Sequence, residues 1–239
     1  MQLHQVKTRL VNSTVIEYHD RILVIDVAKR CEHQVLHFVE SDLGRPASDI
    51  ALVLCTHDDP DHIGGISALA QLSGAATAIP YASTSATKKF YRDPSGGLVR
   101  FATSLREATR ARAWKMYLKP SVIRGHRNHR PIAPTTQRQQ PHHILKHGHS
   151  PPGFDDWETI HTPGHSWDSC CYFHRASGAL ITGDTLLGSG SIGQLVTPAI
   201  YANSRHLKAS LQKLKNLPVS VVYPGHGSVM RGAHLFERF

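Results

Sequence analysis

Ile50-Ala51-Leu52-Val53-Leu54-Cys55 runs into Thr56-His57-Asp58-Asp59-Pro60-Asp61-His62-Ile63-Gly64-Gly65, and the fold of this 239-residue chain turns on that junction. The first six residues are an unbroken apolar run bounded by turn formers, the pattern of a fully buried strand. Ile66-Ser67-Ala68-Leu69-Ala70 then begins a helix. Two imidazoles and three carboxylates therefore fall within six residues where a strand gives way to a helix. Carboxylates packed this closely repel and raise one another's pKa values, and a bound cation removes the conflict. A capping role for Asp58 or Asp59 would need one aspartate and neither histidine.

The strand–helix pattern extends in both directions. Val11–Tyr18 and Arg21–Val27 read as strands joined at His19-Asp20, with Asp26 closing the second. Cys31–Glu40 has loose helical spacing, and Ala75–Tyr81 is another short apolar strand. This alternation indicates α/β layering. Residues 83–92 and 101–118 are expected as helices, and 120–152, rich in proline and basic residues, as a long loop or insertion. Trp157–Thr162 resumes as a strand, Ser169–His174 and Gly178–Gly183 form a hairpin, and a glycine-rich loop follows at 188–193. Ser204–Leu217 is the clearest helix, with Leu207, Leu211, Leu214 and Leu217 on one stripe. Val219–Tyr223 is the last strand, and the tail is expected to add a short helix. Strand-rich first and second halves suit two sheets.

Four expected strands end in loops bearing His or Asp: at 57–62, at His165, at Asp184 and at His226. Each loop carries Gly or Pro, which permit the sharp turns that aim side chains at one point. A lone His165 or His226 would be an ordinary turn residue. Four such loops on one sheet system point to a metal site.

Thr56-His57-x-Asp59-x-Asp61-His62-x-Gly64-Gly65, His161-Thr162-Pro163-Gly164-His165, Thr182-Gly183-Asp184 and Pro224-Gly225-His226-Gly227, in this order, resemble the signature of the metallo-β-lactamase superfamily. The resemblance covers residues 9 to 230 and leaves the basic segment unmatched. It implies an α/β fold, a four-layer αββα sandwich with metals along one edge. The whole chain, 1–239, would be one such domain with a basic insertion or lid at about 100–152. The resemblance further implies two divalent ions. His57, Asp59 and His165 would hold the first, Asp61, His62 and His226 the second, and Asp184 would bridge both. Zinc suits these nitrogen and oxygen donors first, and manganese or iron suits them also. His57, Asp59 and Asp61 lie two apart, so an extended loop would aim them alike.

The family usually has histidine where Asp59 stands, so HxHxDH becomes HxDxDH here. The extra carboxylate brings two divalent cations and a hydroxide to neutrality, which weakens acidification of water and disfavours harder metals less. Asp26-Val27 replaces an Asp-Thr-Gly-like turn of usually structural role. The implied activity is a metallo-hydrolase whose metal-bound hydroxide opens a carbonyl bond of an ester, lactone, thioester or β-lactam. Asp61 would orient the nucleophile and pass its proton toward the leaving group, or serve as a ligand alone. The same dinuclear site would suit a phosphodiesterase or nuclease, and a metal- or partner-binding protein without turnover is the rival from another class.

Composition narrows the partners. Residues 100–150 carry eleven Lys and Arg against Glu107 alone, so they hold +10 while the rest of the chain sums to −1. Such a block suits a lid over an anionic small-molecule substrate, a phosphate-contacting surface, or a solvated insertion. Only Trp114 and Tyr117 interleave with it, which disfavours nucleic acid as the partner. The N-terminus shows no secretory signal and no stretch is long enough to span a bilayer, so a cytoplasmic location is expected. Cys31, Cys55, Cys170 and Cys171 have neither disulfide-framework nor CxxC spacing, so reduced thiols are expected. His161 is expected beside the site as a turn or ligand-orienting residue, and His174, His206 and His234 at the surface.

Overall fold

The computed structural model describes residues 1–84 and 140–239. Of the helix expected at 83–92 only Ser83 and Thr84 are described. The helix expected at 101–118 and residues 100–139 of the basic block lie outside the described residues.

Thirteen strands and three α-helices are present among the described residues. The first sheet has the order β1 (Gln2–Lys7), β2 (Asn12–Glu17), β3 (Ile22–Ile25), β4 (Ile50–Leu54), β5 (Ala76–Pro80), β6 (His143–Leu145). Its first three strands pair antiparallel and its last four parallel. The second sheet runs β13 (Met230–Arg231), β12 (Val221–Pro224), β9 (Ala179–Gly183), β8 (Cys170–His174), β7 (Trp157–His161). A small hairpin of β10 (Leu187–Ser189) and β11 (Gln194–Val196) stands beside it.

Residues facing opposite ways on each strand enter separate cores, which makes the layering. Leu23, Ile25, Leu52 and Leu54 of the first sheet meet Trp157, Tyr172, Ile181 and Tyr223 of the second in the central core. The other face of the first sheet, Val15, Ile22, Val24 and Val53, packs on Val35 of α1 (Glu32–His37) and on Ile66 and Leu69 of α2 (Ile66–Ser73). The outer face of the second sheet, Cys171, Phe173, Leu180 and Val222, receives Leu207, Leu211 and Leu214 of α3 (Ser204–Lys215). The result is the expected αββα sandwich. Burial on both faces explains why β3, β4, β8 and β9 read as continuous apolar runs rather than alternating ones. Cys170 and Cys171 divide between the central and outer cores, and all four cysteines are free and buried.

Several expectations change. β1 has no counterpart in the sequence reading: it is an edge strand whose Leu3 and Val6 do not alternate, and it is fixed by six-residue pairing with β2. β6 emerges from the expected loop because it needs only Leu145 in the core. The helix over 31–40 is one α turn continued by a π turn, Phe38–Asp42. The tail forms β13 and turns, not a helix. The glycine-rich loop is the β10–β11 hairpin, and Gly188 lies so close to the His226 loop that a Cβ would stand 1.8 Å from the Ser228 carbonyl oxygen. Gly188 N donates to the His226 carbonyl at 3.1 Å, so this hairpin fixes the loop that carries His226.

Candidate metal centre

The four loops meet at one end of the sandwich. The loop after β4 carries His57 to His62, the loop after β7 carries His165, β9 is followed by Asp184, and β12 by His226. Thr56 ties the sheets together there, since its carbonyl accepts from Cys170 N at 2.8 Å. The segment 59–63 is a helical turn, with His62 N and Ile63 N both donating to the Asp59 carbonyl. That corrects the extended loop expected for alternate residues. The turn is anchored from behind: Val27 N donates to the His62 carbonyl, Gly65 N to the Val27 carbonyl, and Lys29 N to the Pro60 carbonyl.

All seven expected ligands converge, in two groups. Asp59 Oδ2 stands 3.3 Å from His57 Nε2 and 3.5 Å from His165 Nε2. Asp61 Oδ2 stands 3.3 Å from His226 Nε2 and 3.9 Å from His62 Nε2. Asp184 reaches both groups: Oδ1 lies 3.5 Å from His62 Nε2, and Oδ2 lies 3.7 Å from His165 Nε2 and 3.5 Å from His226 Nε2. These separations exceed a good hydrogen bond. Those at 3.3–3.5 Å are close to the spacing of donors sharing an ion, since corners about 2.0–2.1 Å from a tetrahedral centre stand roughly 3.3–3.4 Å apart. His57 Nε2, His62 Nε2 and Asp184 Oδ1 are buried and have no hydrogen-bond partner. Such atoms are costly unless something pairs them, so the residues present fit a pair of cations. Gly225 leaves the room required, because a Cβ there would stand 2.7 Å from His62 Cε1 and 2.8 Å from Asp184 Oδ1.

Partners behind the histidines turn their Nε2 atoms toward the centre. His62 Nδ1 donates to Asp26 Oδ2 at 2.9 Å. His57 Nδ1 is 3.0 Å from Thr56 Oγ1, which itself donates to Asp26 Oδ2 at 2.9 Å. His165 Nδ1 donates to the Ile200 carbonyl at 2.7 Å. Such outer partners fix the tautomer and raise the basicity of the ligand nitrogen. Asp26 is thus a residue that sequence reasoning undervalued. It is buried, takes the left-handed conformation at φ 63°, and also accepts from Thr56 N at 2.7 Å. Its position at the end of β3, next to β4, was the available signal.

The seven donors also act on one another as ion pairs. Burial alone would lower the histidines, but Asp26 and Asp184 raise His62 well above the ordinary value, Asp59 and Asp184 raise His165, and Asp184 and Asp61 raise His226. Burial opposes ionisation of Asp184, yet His226, His62 and His165 hold it well below the carboxylate range, and His165 and His57 do the same for Asp59. A raised histidine stabilises the fold below its unfolded value near 6.5 and loses that contribution as pH climbs through the folded value; a lowered aspartate contributes above 3.8 and fails as pH falls. Metal-free protein is therefore expected to be most stable in the window between about 4 and 6.5. Ligation needs neutral imidazoles, so Zn2+ should release protons and move the optimum upward. Melting temperatures from acid to alkaline pH, with chelator and with Zn2+, check this; an optimum that stays in place contradicts the ligand set.

Other singled-out residues lie elsewhere. His161 Nε2 is 2.8 Å from the Trp167 carbonyl, so it braces the loop that carries His165. His174 is buried, not at the surface: Asp156 Oδ2 and Ser177 Oγ flank its ring at 3.1 and 2.7 Å. His234 is exposed as expected, and His206 sits against the Trp167 ring. α2 has no side-chain cap, so neither Asp58 nor Asp59 serves as one. No helix among the described residues is long and apolar enough to cross a membrane.

Solved structures share this architecture. A metallo-beta-lactamase family protein of Thermus thermophilus, TTHA1429, aligns over 99% of this chain and 77% of its own, with a TM-score of 0.62 and 22% identity. TTHA1623, solved in a di-iron-bound form, aligns over 97% and 94% at a TM-score of 0.54 and 20% identity. In sequence, an atrochrysone carboxyl ACP thioesterase of Aspergillus fumigatus is 37% identical over 71 residues, 30% of this chain and only 20% of that relative's length. The sequence pattern of the Metallo-beta-lactamase superfamily matches residues 6–226, nearly the whole chain, and the chain belongs to that superfamily.

Proposed function

We propose that the chain is a metal-dependent hydrolase of carbonyl bonds, with thioesters first among its substrates. The observation that carries this is the set of three buried, unpartnered atoms, His57 Nε2, His62 Nε2 and Asp184 Oδ1, which belong to two close groups of donors: His57, His165 and Asp184, with Asp59 beside the two histidines, and Asp61, His62 and His226. Our assignment gives His57, Asp59 and His165 to one ion, Asp61, His62 and His226 to the other, and Asp184 to both. Two divalent cations would supply Lewis acidity for the carbonyl oxygen and for the attacking water. Asp61, with a side chain 35% exposed, lies at the open side of the cluster. In this reading its carboxylate would take the water's proton and return it to the leaving group. Burial opposes its ionisation, but His226 and His62 together outweigh that and hold the carboxyl below its ordinary value. Asp59, with a side chain 49% exposed, brings negative charge to the same mouth and makes manganese or iron better alternatives to zinc than an all-histidine trio would.

The thioester preference draws on the fungal relative's name and belongs with this proposal. Its test is a panel of aryl thioesters, lactones, aryl esters and a β-lactam, assayed with the protein as purified, after chelation, and after return of Zn2+ or Mn2+. Thioester cleavage that chelation removes and metal restores supports the proposal; cleavage indifferent to chelator contradicts it. The basic block favours a second candidate, a phosphodiesterase. That would show as cleavage of a chromogenic phosphodiester falling steeply with salt.

A further inference from the structure

Asp26 backs both candidate ion positions, His62 directly and His57 through Thr56 Oγ1. A second buried carboxylate, Asp168, 8% exposed, is assigned to neither ion. Its Oδ2 accepts from the backbone N of Asp58 at 2.7 Å and from Ser83 Oγ at 2.5 Å. Its Oδ1 accepts from Ser166 Oγ at 2.8 Å, and Ser166 is itself tied to Ser169 through Oγ···Oγ at 2.7 Å and N···Oγ at 3.1 Å. Asp58 sits between His57 and Asp59, and Ser166 follows His165. One buried carboxylate therefore grips immediate chain neighbours of His57, Asp59 and His165, the three residues assigned to the first ion alone. None of these three bonds reaches Asp61, His62 or His226 or a chain neighbour of theirs.

We propose that Asp168 is a positioning residue for the first ion: it fixes the distance between the His57–Asp59 segment and His165, so its loss weakens that ion and spares the second. This rests on the two-ion assignment above. The physical basis is the acceptor geometry. A carboxylate offers two oxygens to three donors arriving from three segments, and charge-assisted bonds of this kind are short and strong. An asparagine can keep the Asp58 and Ser83 bonds through its oxygen, but Ser166 must then reverse and accept from Nδ2 without the help of a carboxylate charge, and alanine keeps none of the three. Outer partners of this type change metal affinity by about 10–100-fold.

The test is a stepwise Co2+ titration of the full chain followed by visible absorption, with Zn2+ competition and melting curves under chelator. The unaltered chain should bind in two steps, and Asp59→Ala and Asp61→Ala identify which step belongs to which position. Asp168→Ala should weaken the step sensitive to Asp59→Ala by about 10–100-fold and leave the other within about threefold. Asp168→Asn should fall between the two, a graded rescue that loss of general stability would not produce. Ser166→Ala removes only the His165 arm and should weaken the same step less; it carries the test if Asp168→Ala does not fold. Equal weakening of both steps, or no change in either, overturns the positioning role. An unaltered chain that binds fewer than two ions instead sinks the two-ion assignment, and the proposal with it.

Discussion

Asp184→Ala protein, purified without chelator, is expected to hold less than one equivalent of metal, against nearly two for the unaltered chain. Among the described residues, Asp184 is the side chain whose two oxygens reach both groups, His62 on one side and His165 on the other. It is buried, and the three histidines around it keep it ionised despite that burial. Removing it leaves three imidazoles without their shared counter-charge, so both ions are affected at once. Hydrolysis should fall by more than the roughly 100-fold typical of losing an outer partner. His161→Ala is the matched comparison. That ring contacts the Trp167 carbonyl and no candidate ligand, so the variant should retain both ions. Elemental analysis of the two proteins side by side decides the matter: equal metal loss would show that the ligands are wrongly assigned.

Asp26→Ala is expected to cost the most stability. Asp26 is 2% exposed and receives hydrogen bonds from Thr56 N, Thr56 Oγ1 and His62 Nδ1. Its removal strands a buried N–H, a buried hydroxyl and a histidine whose charged form it favours, a loss of about 3–5 kcal/mol. Alanine at φ 63° adds about 1 kcal/mol, since a Cβ is unfavourable in the left-handed region. For a chain of this size the melting temperature should drop by roughly 10–15 °C. Asp26→Asn should cost less, because asparagine tolerates that backbone conformation and retains one acceptor. Melting curves under chelator separate this effect from metal loss. An Asp26→Ala protein whose melting temperature matches that of the unaltered chain would contradict the account of how His62 is oriented.

The parts of the fold legible in the sequence are those that bury two faces or end in a functional loop. Leu52 to Leu54 and Cys170 to Phe173 are apolar at every position because each neighbour enters a different core. α3 was equally legible, since a single face of it is buried. β1 and β6 were not, because each is an edge strand that sends few side chains into a core and depends on backbone pairing to its neighbour. The candidate site was legible where residue type and spacing coincide, at His57 to His62 and at the three glycine-flanked loops. Thr56 and Asp168 were marked only by lying beside those loops, Thr56 at the start of the signature and Asp168 just after His165, which did not reveal their partners. Their roles depend on hydrogen bonds to residues more than 100 positions away, as between Asp168 and Asp58 N or between Thr56 and Cys170 N, and only the folded arrangement brings those together. His174 illustrates the reverse: a histidine on a strand next to a turn looked superficial, yet Asp156 and Ser177 pair both of its nitrogens and allow it to be buried.

The central claim concerns where cations sit, and anomalous diffraction from crystals grown in Zn2+ tests it most directly. Two peaks roughly 3.5–4 Å apart, one among His57, Asp59 and His165, the other among Asp61, His62 and His226, and both beside Asp184, are the expected result. Density confined to surface histidines, with those seven side chains lacking any ion between them, would contradict it.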